Sequence, residues 1–483
     1  MSQSKVSGLW IDGNWVRGTR SMEVRHKYHD RVLGEFDIPS HSQIDLAIRS
    51  AAQAARTMRL MPLHRRARIL SSVSEKLLNR KEEFALRIAQ EAGKPLKHAL
   101  VEVDRAATTF QWAAEESKRI HGETIPFDAV ESGVGFQGWW SRRPIGVVGA
   151  ITPFNFPLNL VAHKVAPAIA SGNAVILKPA ELTPLTAIAL MELLLEAGMP
   201  GPAIQLLQGP GEEVASPMVR DARVGKISFT GSAAVGKILL ETAGIKKVTL
   251  ELGNNSPVLV DKDADLDWAA DRCALGAFAY AGQVCISIQR LFIHPECWDE
   301  FVPKLIDASS RLQVGDPESL GTDVGPMISV DAAKRAEMWG EEAVREGARI
   351  LLGGSAHHAM LPPTLIEATP AHCRLMQEEV FAPMANVIRV KTWEEAIHRA
   401  NETPYGLQAS VFGKDIERIH DAIRELDFGG VIVNDIPGIR MDHMPYGGNK
   451  QSGIGREGVR FAIEEMTQIQ TVAMRLRGSS HES

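Results

Sequence analysis

Basic excess, paired cysteines and long apolar runs are all missing from this 483-residue chain, and each gap removes a class of protein. Lys and Arg number 53 against 59 Asp and Glu, for a net charge of −6, so there is no cationic footprint for nucleic acid and no solvated tail of like charges. The four cysteines, at 273, 285, 297 and 373, are too few and too widely spaced for a disulfide framework or a C-x-x-C metal knuckle. The 15 histidines are scattered, and the adjacent pair His357-His358 lies in a Gly/Ser-flanked turn, so no metal site is expected. No uninterrupted apolar stretch approaches the ~20 residues of a membrane span. Met1-Ser2-Gln3-Ser4-Lys5 shows neither the apolar core nor the cleavage site of a secretory leader, and a cytoplasmic protein is expected.

What is present is an ordinary globular composition, 45% hydrophobic and 23% charged, with length for roughly three domains or one large composite. The first third reads as helical. Ser42 with Asp45 three residues on opens an amphipathic run to Met58, and further periodic stretches cover 64–79, 82–91 and 96–120, punctuated by Gly93 and Pro95. The texture then changes: residues 124–142 alternate, carry Trp139-Trp140, and predict a hairpin that is either an ordinary surface feature or a partner surface.

From Ile145 to Leu252 strands and helices alternate regularly. Strands are predicted at 147–151, 174–177, 203–207, 226–229 and 247–250, with helices at 158–170, 184–196, 212–220 and 233–242; Thr183 is the expected cap and Pro184 the first residue of the second helix. Repeated βαβ units imply a parallel sheet covered on both faces, with ligands bound beyond the carboxyl ends of the strands, where Lys178, Thr230 and Glu251 fall.

Three local patterns carry chemistry. Cys285, in Gly282-Gln283-Val284-Cys285-Ile286, follows the helix-like run 268–280 and sits where an element gives way to a loop, a place where catalytic groups concentrate. With Glu251 it could supply a nucleophile and a base, although a free cysteine is more often an inert buried hydrophobe. Gly231-Ser232-Ala233-Ala234-Val235-Gly236-Lys237-Ile238 opens a helix after a strand, a natural phosphate site. It fails the P-loop pattern at Ile238 and lacks G-x-G-x-x-G spacing, so packing glycines are an open alternative. Lys178-Pro179-Ala180-Glu181 could hold ribose hydroxyls, with the carboxylate repelling a 2′-phosphate and favouring NAD over NADP; a surface ion pair is the plainer reading.

Thr152-Pro153-Phe154-Asn155-Phe156-Pro157, Lys178-Pro179-Ala180-Glu181, Phe229-Thr230-Gly231-Ser232, Leu250-Glu251-Leu252-Gly253, Gly282-Gln283-Val284-Cys285, Glu378-Glu379-Val380-Phe381 and Pro445-Tyr446-Gly447-Gly448 with Ser452-Gly453 occur in this order. With them the chain resembles the NAD(P)-dependent aldehyde dehydrogenase superfamily over roughly residues 10–475. The resemblance implies an α/β fold: a Rossmann-like cofactor-binding domain (1–120 and 145–253), an α/β catalytic domain (254–455) and a small β oligomerisation flap (121–144 and 466–478), in a homodimer or homotetramer.

It also implies roles. Cys285 would add to the aldehyde and pass through a thioester, Asn155 and the Cys285 N–H would form an oxyanion hole, and Glu251 would activate the hydrolytic water. Thr152, Pro153, Phe154, Lys178, Glu181, Gly231, Ser232, Gly253, Glu379 and Phe381 would contact the NAD, with NADP possible. The family commonly has glycine where Asn254 stands, and Asn tolerates left-handed backbone better than most residues; Phe154 replaces a frequent Trp. The chain looks like the branch of lactaldehyde, phosphonoacetaldehyde and non-phosphorylating glyceraldehyde-3-phosphate dehydrogenases. Arg105, Arg440 and His443 are the candidates for meeting a small polar or anionic aldehyde, with structural ion pairs as the competing reading of the arginines. A CoA-acylating semialdehyde dehydrogenase and a catalytically silent structural relative are the alternative functions; a retained Glu251 weighs against the first, and a retained Cys285 with Glu251 against the second.

Overall fold

The computed structural model describes residues 6–475; residues 1–5 of the expected cofactor unit and 476–478 of the expected flap lie outside the described residues. Four helices lead the α/β core: His41–Leu60, Leu63–Asn79, Lys81–Ala92 and Leu96–Glu116. The first is capped by Ser40, two residues before Ser42. Gln43 N–H donates to Ser40 Oγ at 3.2 Å while Ser40 N–H donates to Gln43 Oε1 at 2.9 Å, a reciprocal capping box. Gln43 Nε2 also reaches Arg17 O at 2.7 Å, which anchors this start over the competing Ser42/Asp45 pattern.

An eight-stranded sheet runs in the order Gly453–Ile454, Lys247–Glu251, Lys226–Thr230, Val147–Ile151, Ala174–Lys178, Ile204–Leu206, Leu9–Ile11, Asn14–Val16. Its five inner strands are parallel and its edges antiparallel. The chain moves outward from Val147–Ile151 to one side, then returns to Lys226–Thr230 on the other, so the topological switch lies beside Val147–Ile151. The strands Val147–Ile151, Ala174–Lys178 and Lys226–Thr230 are buried at every position because both faces are covered.

Residues 252–255 cross directly from Glu251 into a second, seven-stranded sheet, which runs Arg349–Leu352, Thr364–Glu367, Met384–Arg389, Ile288–Ile293, Ser256–Val260, Gln408–Phe412, Gly430–Val433. The chain then comes back: Gly453–Ile454, within the stretch 254–455 expected to be wholly catalytic, pairs instead with Lys247–Glu251, and Val459, Ile463 and Met466 join the first core. The stretch 124–142 is not a simple hairpin. Pro126 and Gly133 break it into two 3₁₀ turns, Phe127–Ala129 and Glu131–Gly133, and the strand Phe136–Pro144 pairs chiefly with Thr467–Arg475 and only briefly with Glu123–Thr124.

Two buried glutamates cap helices remote in sequence. Glu91 accepts Leu185 N–H and Thr186 N–H, both at 2.8 Å, so the helix Leu185–Glu196 starts after Pro184, and Thr183 is not its cap. Glu102 Oε1 accepts Leu158 N–H and Asn159 N–H at 3.0 and 3.1 Å, which fixes the start of the wholly buried helix Asn159–Ser171 just beyond Asn155.

Candidate active site

The helix Leu266–Phe278 ends earlier than the expected 268–280 because Tyr280 and Ala281 both turn left-handed at φ 51°, followed by Gly282 at φ 65°. Such backbone costs a residue with a Cβ roughly 1–2 kcal/mol. Burial and specific contacts offset it: Tyr280 Oη donates to Ala92 O at 3.0 Å, and a Cβ on Gly282 would stand 2.1 Å from Ala382 O. Gln283 is buried, accepting Ile328 N–H at 2.8 Å, and two residues later Cys285 presents its thiol before the strand Ile288–Ile293. Cys285 Sγ has the Tyr446 hydroxyl at 3.2 Å; burial pushes the thiol up to about 12, while that hydrogen bond acts in the opposite sense.

Glu251, the last residue of its strand, is buried, and neither carboxyl oxygen has a hydrogen-bond partner. Loss of water raises its proton affinity well above the ordinary carboxylate range, and the charge of Glu457 adds to this. Glu457 is itself held ionised, at about 2 despite its burial, by Lys164 Nζ at 2.7 Å and Arg440 Nη2 at 3.0 Å. Glu251 and Cys285 flank consecutive residues: a Cβ on Gly447 would lie 2.9 Å from Glu251 Oε1, and Tyr446 touches the thiol. The charge of Glu251 is felt at the thiol, where it adds to the effect of burial.

Asn155 joins them. Its Nδ2 donates to Gln283 O at 2.9 Å in the loop that carries Cys285, and its Oδ1 is buried without a partner. Thr152 and Pro153 lead into this turn; Thr152 N–H donates to Lys178 O at 3.1 Å, and its buried Oγ1 is unpartnered. Phe154 meets Phe381 edge-on with ring centroids 5.9 Å apart, and Phe381 is left-handed at φ 51°.

Along the carboxyl edge, buried Lys178 donates to Glu181 at 3.0 Å, and Gly231 N–H donates to Glu251 O at 3.0 Å. Ser232 caps the helix Ala233–Thr242 by accepting Val235 N–H at 3.3 Å. Gly236 is a packing glycine: a Cβ there would stand 2.5 Å from Leu252 Cδ2. Gly253 admits Glu379, whose Oε2 would lie 2.4 Å from a Cβ, and Asn254 N–H donates to Glu379 Oε1 at 3.0 Å; desolvation pushes this carboxyl up to about 8.

Asn254 is not among the left-handed residues. Its side chain is used instead to bind the second sheet, donating to Ser256 Oγ at 2.6 Å and Gln408 O at 3.2 Å and accepting Leu407 N–H at 3.3 Å.

The three entrance candidates separate. Arg105 is committed to Asp442, donating through Nε at 3.1 Å and Nη2 at 2.8 Å, and Asp442 also accepts from Asn159 and His163. His443 is exposed and stacked on Trp112 at 4.8 Å. Only Arg440 reaches the reactive groups: its guanidinium lies 3.7 Å from the Tyr446 ring centroid, and its Nε is buried and unpartnered. Sequence reasoning passed over Tyr446, Glu457, Lys164 and Asp442. Lys164 had a visible signal, a lone cation inside an apolar helical run.

Among the described residues, two groups could offer three ligand atoms to a cation, His26 with His29 and Glu318, and Glu346 with His372 and Cys373; neither includes a residue of this site. Among the described residues, no helix is long and apolar enough to cross a membrane.

The sequence profile of the aldehyde dehydrogenase family matches residues 15–472. The chain belongs to that family. It is 42% identical over 476 residues to a 3-sulfolactaldehyde dehydrogenase of Priestia aryabhattai, covering 99% of each chain. Among solved structures, aldehyde dehydrogenase 21 from Physcomitrella patens, in complex with the reaction product succinate, superposes with TM-score 0.96 at 41% identity, covering 99% of this chain and 100% of that one. A glyceraldehyde-3-phosphate dehydrogenase from Methanocaldococcus jannaschii complexed with NADP gives TM-score 0.91 at 40% identity over 95% and 100%. The fold is that of the family, and the chain is an NAD(P)-dependent aldehyde dehydrogenase.

Proposed function

We propose that this aldehyde dehydrogenase converts a small anionic aldehyde to its carboxylic acid through a thioester on Cys285. The observation that carries this reading is the placement of the Cys285 thiol and the unpartnered Glu251 carboxyl against the consecutive residues Tyr446 and Gly447.

Cys285 Sγ, as thiolate, forms the bond to the carbonyl carbon, and the π pair moves to oxygen. The Cys285 N–H and the second Asn155 amide hydrogen stabilise that alkoxide. The edge residues fit a dinucleotide: Thr152 Oγ1 is a buried orphan, Gly253 leaves the space that Glu379 fills, and Lys178 with Glu181 offers a donor and an acceptor to ribose hydroxyls. When bound, the nicotinamide supplies the hydride acceptor. Glu251, whose proton affinity is raised by burial and by Glu457, takes a proton from water as it attacks the thioester, and the acid leaves as Sγ recovers its electron pair. The Glu181 carboxylate supports NAD over NADP.

Anionic substrates are supported by charge. Lys164 and Arg440 present two cations to the single charge of Glu457, burial favours the neutral form of Glu251, and Arg440 keeps an unpartnered Nε. The relative acting on 3-sulfolactaldehyde and the neighbour holding succinate both handle short anions. The three-stranded sheet of Glu123–Thr124, Phe136–Pro144 and Thr467–Arg475 exposes Trp139, Ile469 and Met474 and supports a homodimer or homotetramer.

The test is product analysis with short aldehydes bearing sulfonate, carboxylate, phosphate or no charge, with each dinucleotide and with or without CoA. Free acid with reduced NAD is expected. Acyl-CoA as the product would replace this reading with the CoA-acylating one, and NADH formation that survives stoichiometric alkylation of Cys285 would end the covalent scheme.

A further inference from the structure

We infer that Tyr446 is a catalytic residue that stabilises the Cys285 thiolate through its hydroxyl, with Arg440 strengthening it as a donor from the ring face. The inference rests on Cys285 being the nucleophile.

Tyr446 is buried, and Cys285 Sγ, at 3.2 Å, is the hydrogen-bond partner found for its hydroxyl. The thiol in turn has no other partner among the described residues. The position is rigid, because the Tyr446 backbone pairs with Glu457 in both directions, N–H to O at 3.1 Å and O to N–H at 2.7 Å. The Arg440 guanidinium sits 3.7 Å from the ring centroid and is held there by Glu457. A cation on the π face withdraws charge from the phenol and makes O–H a better donor. Burial keeps that hydroxyl protonated well beyond the usual tyrosine range, so towards a thiolate it acts as donor.

The consequence concerns both chemical steps. Burial disfavours the sulfur anion, and the cations near it are engaged with Glu457 rather than with sulfur. When the partly exposed thiol gives its proton to solvent, the Tyr446 O–H points at the negative sulfur while its own proton stays on oxygen. When the S–C bond forms, that charge passes to the carbonyl oxygen and the hydrogen bond weakens. When the C–S bond breaks in hydrolysis, the electron pair returns to sulfur and the same O–H receives it. A side chain outside the oxyanion hole thus assists attack and departure alike.

The experiment is the pH dependence of Cys285 alkylation by iodoacetamide, a neutral reagent indifferent to the substrate's charge, followed by peptide mass in the full chain. In Tyr446→Phe the alkylation midpoint is expected to rise by about one to two pH units, since a hydrogen bond to a charged group is lost. The KM for the dinucleotide should stay unchanged while kcat falls. Global replacement of tyrosine by 3-fluorotyrosine, practical because the chain has only 4 tyrosines, makes the phenol a stronger donor and should move the midpoint down. It leaves the shape intact should the Phe variant fold poorly. Superposable profiles for wild type and Tyr446→Phe, or an unmoved midpoint in the fluorinated chain, overturn the inference even though alkylation abolishes activity. Wild-type chain that is alkylated at Cys285 and still active defeats the covalent reading instead, so the two failures are distinguishable.

Discussion

Glu457 accepts Lys164 Nζ at 2.7 Å in a fully enclosed ion pair, and the same carboxylate carries Arg440. Removing its charge in Glu457→Gln leaves two buried cations without their counter-ion and takes away one of the influences that raise Glu251. The variant should lose about 3–5 kcal/mol of stability. Its Glu251 should also ionise at lower pH, moving the acidic limb of the kcat profile downward. Chemical denaturation and a pH–rate series check the two effects separately.

Arg440 and Arg105 make opposite predictions. Arg440→Ala should reduce kcat/KM for sulfonate- or carboxylate-bearing aldehydes about 10- to 100-fold more than for neutral aldehydes of the same length. Arg105→Ala should leave that ratio unchanged, because its guanidinium is already committed to Asp442. The readout is the ratio between paired substrates, which general damage to the fold does not alter.

Asn155→Ala removes the one side-chain donor of the oxyanion site. A fall in kcat of about 10²–10³ is expected, with little change in the KM of either substrate. A pre-steady-state burst measured in the same variant should slow by a similar factor.

Asn254→Gly restores the family's commoner residue and should nevertheless harm this chain. Two donated and one accepted hydrogen bond to Ser256, Gln408 and Leu407 disappear, leaving buried groups unpaired at about 1–3 kcal/mol each. Thermal melting reports the loss, and weakened dinucleotide binding should accompany it because Asn254 N–H also fixes Glu379.

The Glu379 carboxyl gives a pH signature. Its folded value, about 8, exceeds the ordinary 4.5, so the folded chain holds this proton more tightly than the unfolded one. The resulting stability is complete below pH 4.5 and fades as pH rises to about 8. Glu379→Gln cannot lose the proton, so its stability curve should fall less across that window than the wild type's. Denaturant midpoints at the two ends of the window suffice to measure it.

The alternating units from Ile145 to Leu252 could be read because strand and helix periodicities there are regular and strand ends are marked by polar residues such as Lys178 and Glu251. Helix starts were harder. Glu91 and Glu102 supply caps from far along the chain, and no local pattern encodes a partner that distant. The hairpin expected at 124–142 was misread for a similar reason, since the strand Phe136–Pro144 takes its main partner more than three hundred residues away, in the segment that only the family resemblance grouped with it. Lys178, Glu251 and Cys285 announced themselves through motifs and element ends. Arg440 and Arg105 looked alike in sequence, and only their separate acidic partners tell them apart: Arg440 shares Glu457 with Lys164, whereas Arg105 gives Asp442 two hydrogen bonds.

The crossover at 252–255 ties its neighbours to a fixed length. Glu251 ends one sheet, Ser256 begins the other, and the Asn254 N–H grips Glu379 between them. A single inserted or deleted residue would throw both sheets out of step at once, turning Glu251 away from Tyr446 and Gly447 while releasing the carboxylate at 379. The bridge is therefore set by its residue count before it is set by the identity of any one side chain on it.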